Sequence, residues 1–322
     1  MADVEIVDVH SHFYPKTYVD KLMRRGFAET REGQVILKWG RRGSPASISA
    51  VNLEEKVKEV KKFSPNSLSL LSVSAPWGEV LPRGEELGVV RKANDELSEI
   101  VRKNEGLFGG LAMLPTSDVE ASAEEAERAI KELNLHGFVV GTGMANRMLE
   151  DGRMGELLKV VEKLGRPIFL HPGTLPLDKV LNEGPAAVGV SFVFETTYVL
   201  VRMALQGLLR DYDVKVICPH GGGFIPYQLG RADLVKSAYD QSLQLPSQYL
   251  RRNVFYDTVM YTEESLRFLV EVMGEDQVVF GTDHPFPVSR RELFLGFVQK
   301  LYQGSTREKI LRENAMGLFG IR

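Results

Sequence analysis

Residues 6–12 read IVDVHSH, a short β-branched run that ends in two histidines. The apolar positions predict a buried strand, and Pro15 marks its end because proline has no N–H to donate to a sheet. Side chains two positions apart lie on the same face of a strand, so His10 and His12 point in the same direction. The first predicted strand therefore carries a pair of imidazoles at its carboxyl end.

Beyond this run, short β-rich segments alternate with longer segments whose apolar residues recur every three or four positions. Seven further strands are predicted, at 68–73, 107–113, 137–140, 167–171, 214–218, 254–256 and 278–281. Eight helices are predicted, at about 53–63, 85–104, 118–134, 154–164, 194–210, 224–240, 263–273 and 290–301. Strands separated by helices form parallel sheets, and eight units favour an α/β fold of the closed (β/α)8 TIM barrel type. An open doubly wound sheet is the alternative, but no Gly-x-Gly-x-x-Gly follows the first strand.

We expect one domain over residues 1–322, because no linker or change of composition divides the chain. Residues 16–50 form a flap insertion after the first strand, with glycines and Pro45 around one strand-like run at 34–37. A second insert of small apolar residues, 174–192, follows the fifth strand. Segments that follow barrel strands lie over the catalytic mouth, so both inserts are expected there.

The composition excludes several classes of protein. The chain has 322 residues, 43% hydrophobic and 26% charged, with a formal net charge of −3 and neither a basic stripe nor an acidic tail. Nucleic acid and membrane surfaces are therefore not expected partners. No uninterrupted apolar run is long enough for a transmembrane helix. A single cysteine, Cys218, and a first segment without a charged and apolar leader predict a cytoplasmic location.

Candidate metal ligands come at the carboxyl ends of predicted strands. His171 ends the fifth strand and Asp283 ends the eighth, and in a barrel these ends meet the first strand at one mouth. Imidazole nitrogen and carboxylate oxygen are donors that Zn²⁺ or Mn²⁺ accepts. The predicted ligand set is His10, His12, His171 and Asp283.

Two further histidines lie beside these ligands in the sequence. His220 follows the sixth strand in CPHGGG, residues 218–223, where glycines allow the backbone to approach a ligand and a helix N-terminus favours an anion. His284 follows Asp283 in a loop, where a substrate contact and a surface position are equally compatible with the sequence. A plain strand-to-helix turn would explain the glycines at 221–223 but not His220.

Four motifs in this order resemble the amidohydrolase superfamily, specifically its branch of metal-dependent decarboxylases. They are HSH at 10–12, HP at 171–172, HGGG at 220–223 and GTDHPFP at 281–287. The resemblance spans nearly the whole chain and implies a barrel with one Zn²⁺, with Mn²⁺ as the alternative ion. It assigns His10, His12, His171 and Asp283 to the metal and places His220 beside it as acid and base.

The same resemblance implies a homodimer. In one member of that branch an arginine matching Arg231 comes from the neighbouring subunit and binds a substrate carboxylate, and a second substrate-binding arginine comes from the flap. Lys38, Arg41 and Arg42 are the flap candidates here. Gly173 and Thr174 follow His171 and Pro172 where one member of the branch has Trp-Asp, so the pocket wall and the substrate differ from that member.

The predicted activity is non-oxidative decarboxylation of a small unsaturated or aromatic carboxylic acid. Loss of CO₂ leaves a carbanion, so either His220 activates a water that adds to the substrate, or a protonated Asp283 delivers its proton to the carbon. Hydrolysis of an amide, ester or lactone is the alternative, since the same groups can attack a carbonyl. Hydrolases with two metals use a carboxylated lysine at the end of the fourth strand, and residues 139–142 contain none. A non-catalytic metal-binding barrel is the second alternative, in which His220 would be superfluous.

Overall fold

Eight parallel strands form the central sheet of the molecule, in the order in which they follow one another along the chain: the first strand, then the fifth to the eleventh. A computed structural model describes residues 4–39, 42–173, 186–239 and 244–321. The strands are β1 (Ile6–His12), β2 (Ala28–Arg31), β3 (Gln34–Trp39), β4 (Arg42–Ser47), β5 (Ser67–Ser72), β6 (Phe108–Met113), β7 (Gly137–Gly141), β8 (Ile168–His171), β9 (Val216–Cys218), β10 (Val254–Asp257) and β11 (Val278–Val279). Each predicted barrel strand is present.

The sheet closes on itself between its first strand and the segment that follows its last. Val9 donates its N–H to the carbonyl of Phe280 at 3.0 Å, and Asp283 donates to the carbonyl of His10 at 2.8 Å. Ser11 and His284 form a further parallel bridge. These backbone hydrogen bonds complete the predicted (β/α)8 barrel and bring the segment with Asp283 against the strand with both histidines.

Helices surround the barrel and follow its strands. They are α1 (Lys16–Arg24), α2 (Leu53–Phe63), α3 (Arg83–Lys103), α4 (Val119–Lys131), α5 (Thr142–Glu150), α6 (Met154–Leu164), α7 (Phe192–Leu205), α8 (Leu208–Asp211), α9 (Ile225–Tyr239), α10 (Pro246–Leu250), α11 (Glu263–Met273), α12 (Arg291–Leu301), α13 (Gly304–Glu308) and α14 (Asn314–Phe319). The sequence missed α5, a helix of 9 residues that begins directly after β7 and has no capping side chain to mark its start.

The flap differs in detail from its prediction. Its helix α1 is followed by an antiparallel sheet in which β3 pairs with both β2 and β4. Only β3 was expected as a strand. The flanking strands contain charged residues, Gly43 and Pro45, and their pairing comes from backbone hydrogen bonds rather than from a hydrophobic pattern. The insert at 174–192 is described from residue 186 on, where a π-helical turn at Ala187–Ser191 leads into α7.

The helical stretch Ala187–Leu205 is long and apolar enough to cross a membrane by length and composition. This differs from the expectation, which required an uninterrupted apolar run and so discounted a segment containing Glu195 and Arg202. A helix that packs on a barrel meets the same criterion. Here Val199, Leu200 and Met203 are buried against the rest of the fold.

The turn from β9 to α9 gives a test of the fold. Gly222 has a φ of +81°, and a Cβ there would lie 2.4 Å from Cδ1 of the Tyr256 ring. We expect Gly222→Ala to cost at least about 1–3 kcal/mol of stability, because both the backbone conformation and the space exclude a side chain. Gly230→Ala is the matched control, since nothing lies within 4 Å of its added Cβ. Thermal unfolding should show a lower Tm only for Gly222→Ala, and equal Tm values would contradict this packing.

Candidate metal centre and active site

Four side chains converge at the carboxyl end of the barrel. His10 and His12 come from β1, His171 from the end of β8, and Asp283 from the segment after β11. Their ligand atoms all lie within 4.8 Å of one another. All four side chains are buried. The structure thus brings together the complete ligand set that the sequence predicted.

The donor atoms at this point fit a divalent cation. The Nε2 atoms of His10, His12 and His171 are buried and have no hydrogen-bond partner. Oδ1 of Asp283 lies 3.2 Å from Nε2 of His10 and 3.3 Å from Nε2 of His12. Buried polar atoms without partners are costly, and a cation bound among them would satisfy all of them at once. Three imidazoles and one carboxylate are a donor set that Zn²⁺ and Mn²⁺ accept.

The other ring nitrogen of each histidine contacts a side chain outside the ligand set. Nδ1 of His10 lies 2.6 Å from Oδ2 of Asp257. Nδ1 of His12 lies 3.3 Å from Oγ of Ser72, and Nδ1 of His171 lies 3.4 Å from Oγ of Ser74. These contacts orient the rings so that Nε2 faces the shared point, as in metal sites whose ligands are fixed by outer partners.

Sequence reasoning missed Asp257. Its Oδ1 accepts the N–H groups of Gly221 and Val259 at 3.0 and 3.1 Å, so the carboxylate also holds the turn that carries His220. The available signal was its position. Asp257 ends β10 as Asp283 and the histidines end other strands, but the predicted strand stopped one residue earlier, at 256.

Electrostatics within the ligand set distinguish the three histidines. Burial disfavours the charged form of His10, but the Asp283 carboxylate and the hydrogen bond to Asp257 outweigh it and raise its pKa to about 10. Burial lowers the pKa of His12 to about 4. Burial and the adjacent imidazoles hold the pKa of His171 well below its usual range. Without a metal, His10 is therefore the ligand histidine that carries a second ring proton and a positive charge.

His220 lies beside the ligands without belonging to their set. Its Nε2 is 3.8 Å from Oδ2 of Asp283, and its ring centroid is 5.3 Å from that of His10. Its backbone has a φ of +56°. The glycines after it serve packing, because a Cβ on Gly221 would collide with Sδ of Met260.

A cavity of about 590 Å³ opens from this centre. His171, His220 and Asp283 line its polar end. The remaining wall is mainly apolar and includes Val188, Phe192, Val193, Val259, Met260, Tyr261, Phe286 and Val288. Among the described residues that line it there is no lysine or arginine. The cavity therefore pairs a cluster of metal-binding and acid–base groups with a hydrophobic chamber.

Two of the basic residues predicted to bind substrate, Arg231 and Lys38, do not line this cavity within one chain. Arg231 is exposed on α9. Lys38 forms an ion pair with Glu29, with 2.5 Å between Nζ and Oε2. Arg41 and the side chain of Arg42 lie outside the described residues. A contact between substrate and a basic side chain stays a prediction.

His284 is neither exposed nor in contact with the cavity, which corrects both expectations for it. It is 5% exposed and lies between two charged side chains. Its Nδ1 is 2.8 Å from Nζ of Lys56, and its Nε2 is 2.7 Å from Oε2 of Glu59. The sequence could not reveal these contacts because Lys56 and Glu59 are more than two hundred positions away, on α2.

The end of β7 has no room for a lysine at Gly141, the strand end where two-metal hydrolases carry their bridging lysine. A Cβ on Gly141 would lie 2.8 Å from Nε1 of the Trp77 indole, so this ring fills the space next to the strand end. Trp77 is 1% exposed and its ring centroid lies 5.9 Å from that of His171. The Trp77 indole thus occupies the space that a lysine side chain at the end of β7 would need.

Residues 7–321 match the amidohydrolase family, and the chain belongs to it. It is 25% identical to 2-amino-3-carboxymuconate-6-semialdehyde decarboxylase of Dictyostelium discoideum, over 98% of this chain and 91% of that protein. It is 30% identical to a γ-resorcylate decarboxylase of Rhodococcus jostii, over 78% of this chain and 82% of that one. The predicted resemblance to the decarboxylase branch of the superfamily is confirmed.

Solved structures share the fold. A 5-carboxyvanillate decarboxylase from Sphingomonas paucimobilis superposes with a TM-score of 0.83 at 20% identity, covering 99% of this chain and 100% of that chain. A dihydroxybenzoic acid decarboxylase from Polaromonas superposes with a TM-score of 0.77 at 22% identity, covering 98% and 97%. That structure contains manganese and the inhibitor 2-nitroresorcinol.

Removing the charge of Asp257 tests its hold on His10. In Asp257→Asn the side-chain NH2 group can face either of two partners. Facing His10, it donates to Nδ1 and so moves the ring proton to Nε2. Facing the other way, it lies against the N–H groups of Gly221 and Val259 and cannot accept from them. We expect metal affinity to fall by about 10–100-fold. Titration with Zn²⁺ against a chelating indicator measures this. Asp213→Asn, at an exposed carboxylate, is the control, and equal affinity of both variants would contradict the assignment.

Metal binding should release a proton from the cluster. Because the pKa of His10 is raised to about 10, its imidazole is protonated at neutral pH and must lose that proton to bind a metal. Metal affinity should therefore rise about tenfold per pH unit from pH 6 to 8, with about one proton released. Calorimetry in buffers of different ionisation enthalpy measures the proton count. A pH-independent affinity with no proton release would contradict the protonated state of His10.

Proposed function

We propose that this protein is a metal-dependent, non-oxidative decarboxylase of a small aromatic carboxylic acid. The observation that carries the proposal is the set of His10, His12, His171 and Asp283 at the polar end of a hydrophobic cavity, with His220 beside it. Relatives named as decarboxylases of γ-resorcylate and 6-methylsalicylic acid support a carboxy-lyase and an aromatic substrate. Each chemical requirement of that reaction has a candidate group in the cavity.

One divalent ion would be held by the three Nε2 atoms and the Asp283 carboxylate, and when bound it supplies a Lewis acid for substrate oxygens. We propose Zn²⁺, with Mn²⁺ as the alternative because a structural neighbour contains it. Oxygen atoms of the substrate carboxylate that bind this ion would then lie next to the Asp283 carboxylate. Only one ion is proposed, since β7 ends at Gly141 and offers no bridging side chain for a second.

The proton that replaces CO₂ on the ring carbon comes from the pair of His220 and Asp283. Both side chains line the cavity, and 3.8 Å separates Nε2 of His220 from Oδ2 of Asp283. This separation is longer than a hydrogen bond, but contacts between catalytic groups are often long in a site without substrate and shorten when substrate binds. The pair would also serve hydrolysis of an ester or lactone, but the apolar wall and the named relatives favour decarboxylation.

The wall of the cavity suits an aromatic ring. Phe192, Phe286 and Met260 offer flat or polarisable apolar surfaces for stacking. The described lining contains no cationic side chain to neutralise a second carboxylate within one chain. We therefore propose an aromatic acid whose carboxylate and any adjacent hydroxyl face the metal centre while the ring lies against the apolar wall.

We propose that the protein is a homodimer that uses the outer face of α9. Tyr227, Arg231 and Leu234 are three and four positions apart on this helix and are all exposed. Val190 and Tyr198, before and within α7, are also exposed, at 54% and 41%. An exposed apolar surface of this kind is typical of an interface, and Arg231 at its centre would be placed to enter a partner's cavity. Buried Cys218 is compatible with a cytoplasmic location, which we also propose.

Release of CO₂ tests the proposed reaction. The wild-type protein, loaded with one equivalent of Mn²⁺ or Zn²⁺, should release one CO₂ per molecule of product from at least one hydroxybenzoate or muconate-like acid. His220→Ala should keep its metal and lose about 10²–10⁴-fold in kcat, because the ligands are intact and the acid–base group is absent. A coupled bicarbonate assay and metal analysis measure both. Turnover of an ester or lactone without any CO₂ would contradict decarboxylation.

Substitution of Arg231 tests whether this residue binds substrate in the cavity of the partner subunit. Arg231→Ala should raise KM by about tenfold or more with metal content unchanged, because a charged hydrogen bond to the substrate is lost. Arg231→Lys should recover part of this loss, and Leu234→Glu should shift sedimentation from dimer to monomer. A wild-type protein that is monomeric and fully active at micromolar concentration would overturn the dimer and the role of Arg231 together.

A further inference from the structure

A lysine lies fully buried behind the metal centre. Lys56, on α2, is 0% exposed. Lysine is rarely buried without partners, because removing an ammonium from water is costly. Its side chain does not line the cavity, so it contacts neither substrate nor the proposed acid–base pair.

The partners of Lys56 belong to the two segments that carry the metal ligands. Its Nζ lies 2.9 Å from Oγ of Ser11 and 3.0 Å from the carbonyl oxygen of His12, both on β1. On the other side Nζ lies 2.8 Å from Nδ1 of His284, the residue after Asp283. One ammonium group therefore joins the strand that holds two ligands to the segment that holds the fourth.

His284 extends this link to the flap. A carbonyl oxygen can only accept, so the ammonium donates to His12, and the simplest arrangement has it donate to Nδ1 of His284 as well. The Nε2–H of His284 then donates to Glu59 at 2.7 Å. Glu59 also accepts the hydroxyls of Ser47 and Ser49 at 3.1 and 2.7 Å, where β4 ends.

We propose that Lys56 is a positioning residue, which together with His284 and Glu59 holds the His12 and Asp283 segments at the separation that metal binding needs. Backbone hydrogen bonds between these segments already close the barrel, and the ammonium adds a connection between the ends that carry the ligand side chains. This inference rests on the proposed metal site. It assigns His284, for which the sequence allowed two other roles, to the support of its neighbour Asp283.

Replacing the ammonium by an apolar group of similar length tests the proposal. In the Lys56→Met protein we expect Zn²⁺ affinity to fall about tenfold or more, in the range found when outer partners of metal ligands are removed. The visible absorption of the Co²⁺-substituted protein should also change, because the ligand geometry is altered. For the substrate found in the CO₂ assay, kcat should fall with little change in KM, since the cavity wall is untouched.

Lys236→Met is the matched control. Lys236 is also buried, at 7% exposure, and its Nζ lies 3.4 Å from the carbonyl of Leu205, remote in sequence from every proposed ligand. This variant should keep the wild-type Zn²⁺ affinity and Co²⁺ spectrum. If both lysine variants weaken metal binding equally, the effect belongs to general stability and the proposal is overturned.

A second substitution covers the case in which Lys56→Met does not fold. Glu59 is partly exposed, at 30% for its side chain, so Glu59→Ala should fold and remove only the far end of the link. It should weaken Zn²⁺ binding by several-fold and shift the Co²⁺ spectrum in the same sense. Wild-type affinity and spectrum in the folded Glu59→Ala protein, or in folded Lys56→Met, would overturn the proposal. Failure of the wild-type protein itself to bind a metal would instead remove the proposed metal site.

Discussion

The structure depends on one constraint: three buried imidazoles and one carboxylate direct their free donor atoms at a single point. Polar atoms buried without partners destabilise a fold, and here three of them are the Nε2 atoms of the ligand histidines. A bound cation would remove that cost, and the barrel supplies the rigidity to maintain the arrangement. The remaining features of the site follow from keeping these four groups in place.

Several elements contribute to that task from different directions. Asp257 on β10 fixes the ring of His10 and, through the N–H of Gly221, the turn with His220. Phe169 on β8 packs beneath His10 and His12, with centroid distances of 4.9 and 6.5 Å. Trp77 closes the neighbouring strand end. The chemistry of the cavity thus rests on residues that never touch a substrate, as in other sites whose ligands are preorganised by outer contacts.

Much of this arrangement could be predicted from sequence, because parallel strands with helical crossovers place all strand ends at one mouth. That rule located His10, His12, His171 and Asp283 without any contact information. It could not locate Asp257, whose strand was predicted one residue too short, or Lys56, which lies mid-helix among charged residues and has the sequence appearance of an exposed position. Helix α5 was missed because it starts directly after β7 without a capping side chain. The outer strands of the flap were missed because pairing through the backbone alone leaves no periodic pattern.

The metal content of the purified protein tests the central claim most directly. After chelation and reconstitution, elemental analysis should find one divalent ion per chain, and CO₂ release should increase in proportion to that occupancy. The same preparation of His171→Ala should hold less than one ion at equal total metal. A chain that retains no ion after reconstitution, or that holds a full complement without His171, would contradict the four-residue centre on which the account is built.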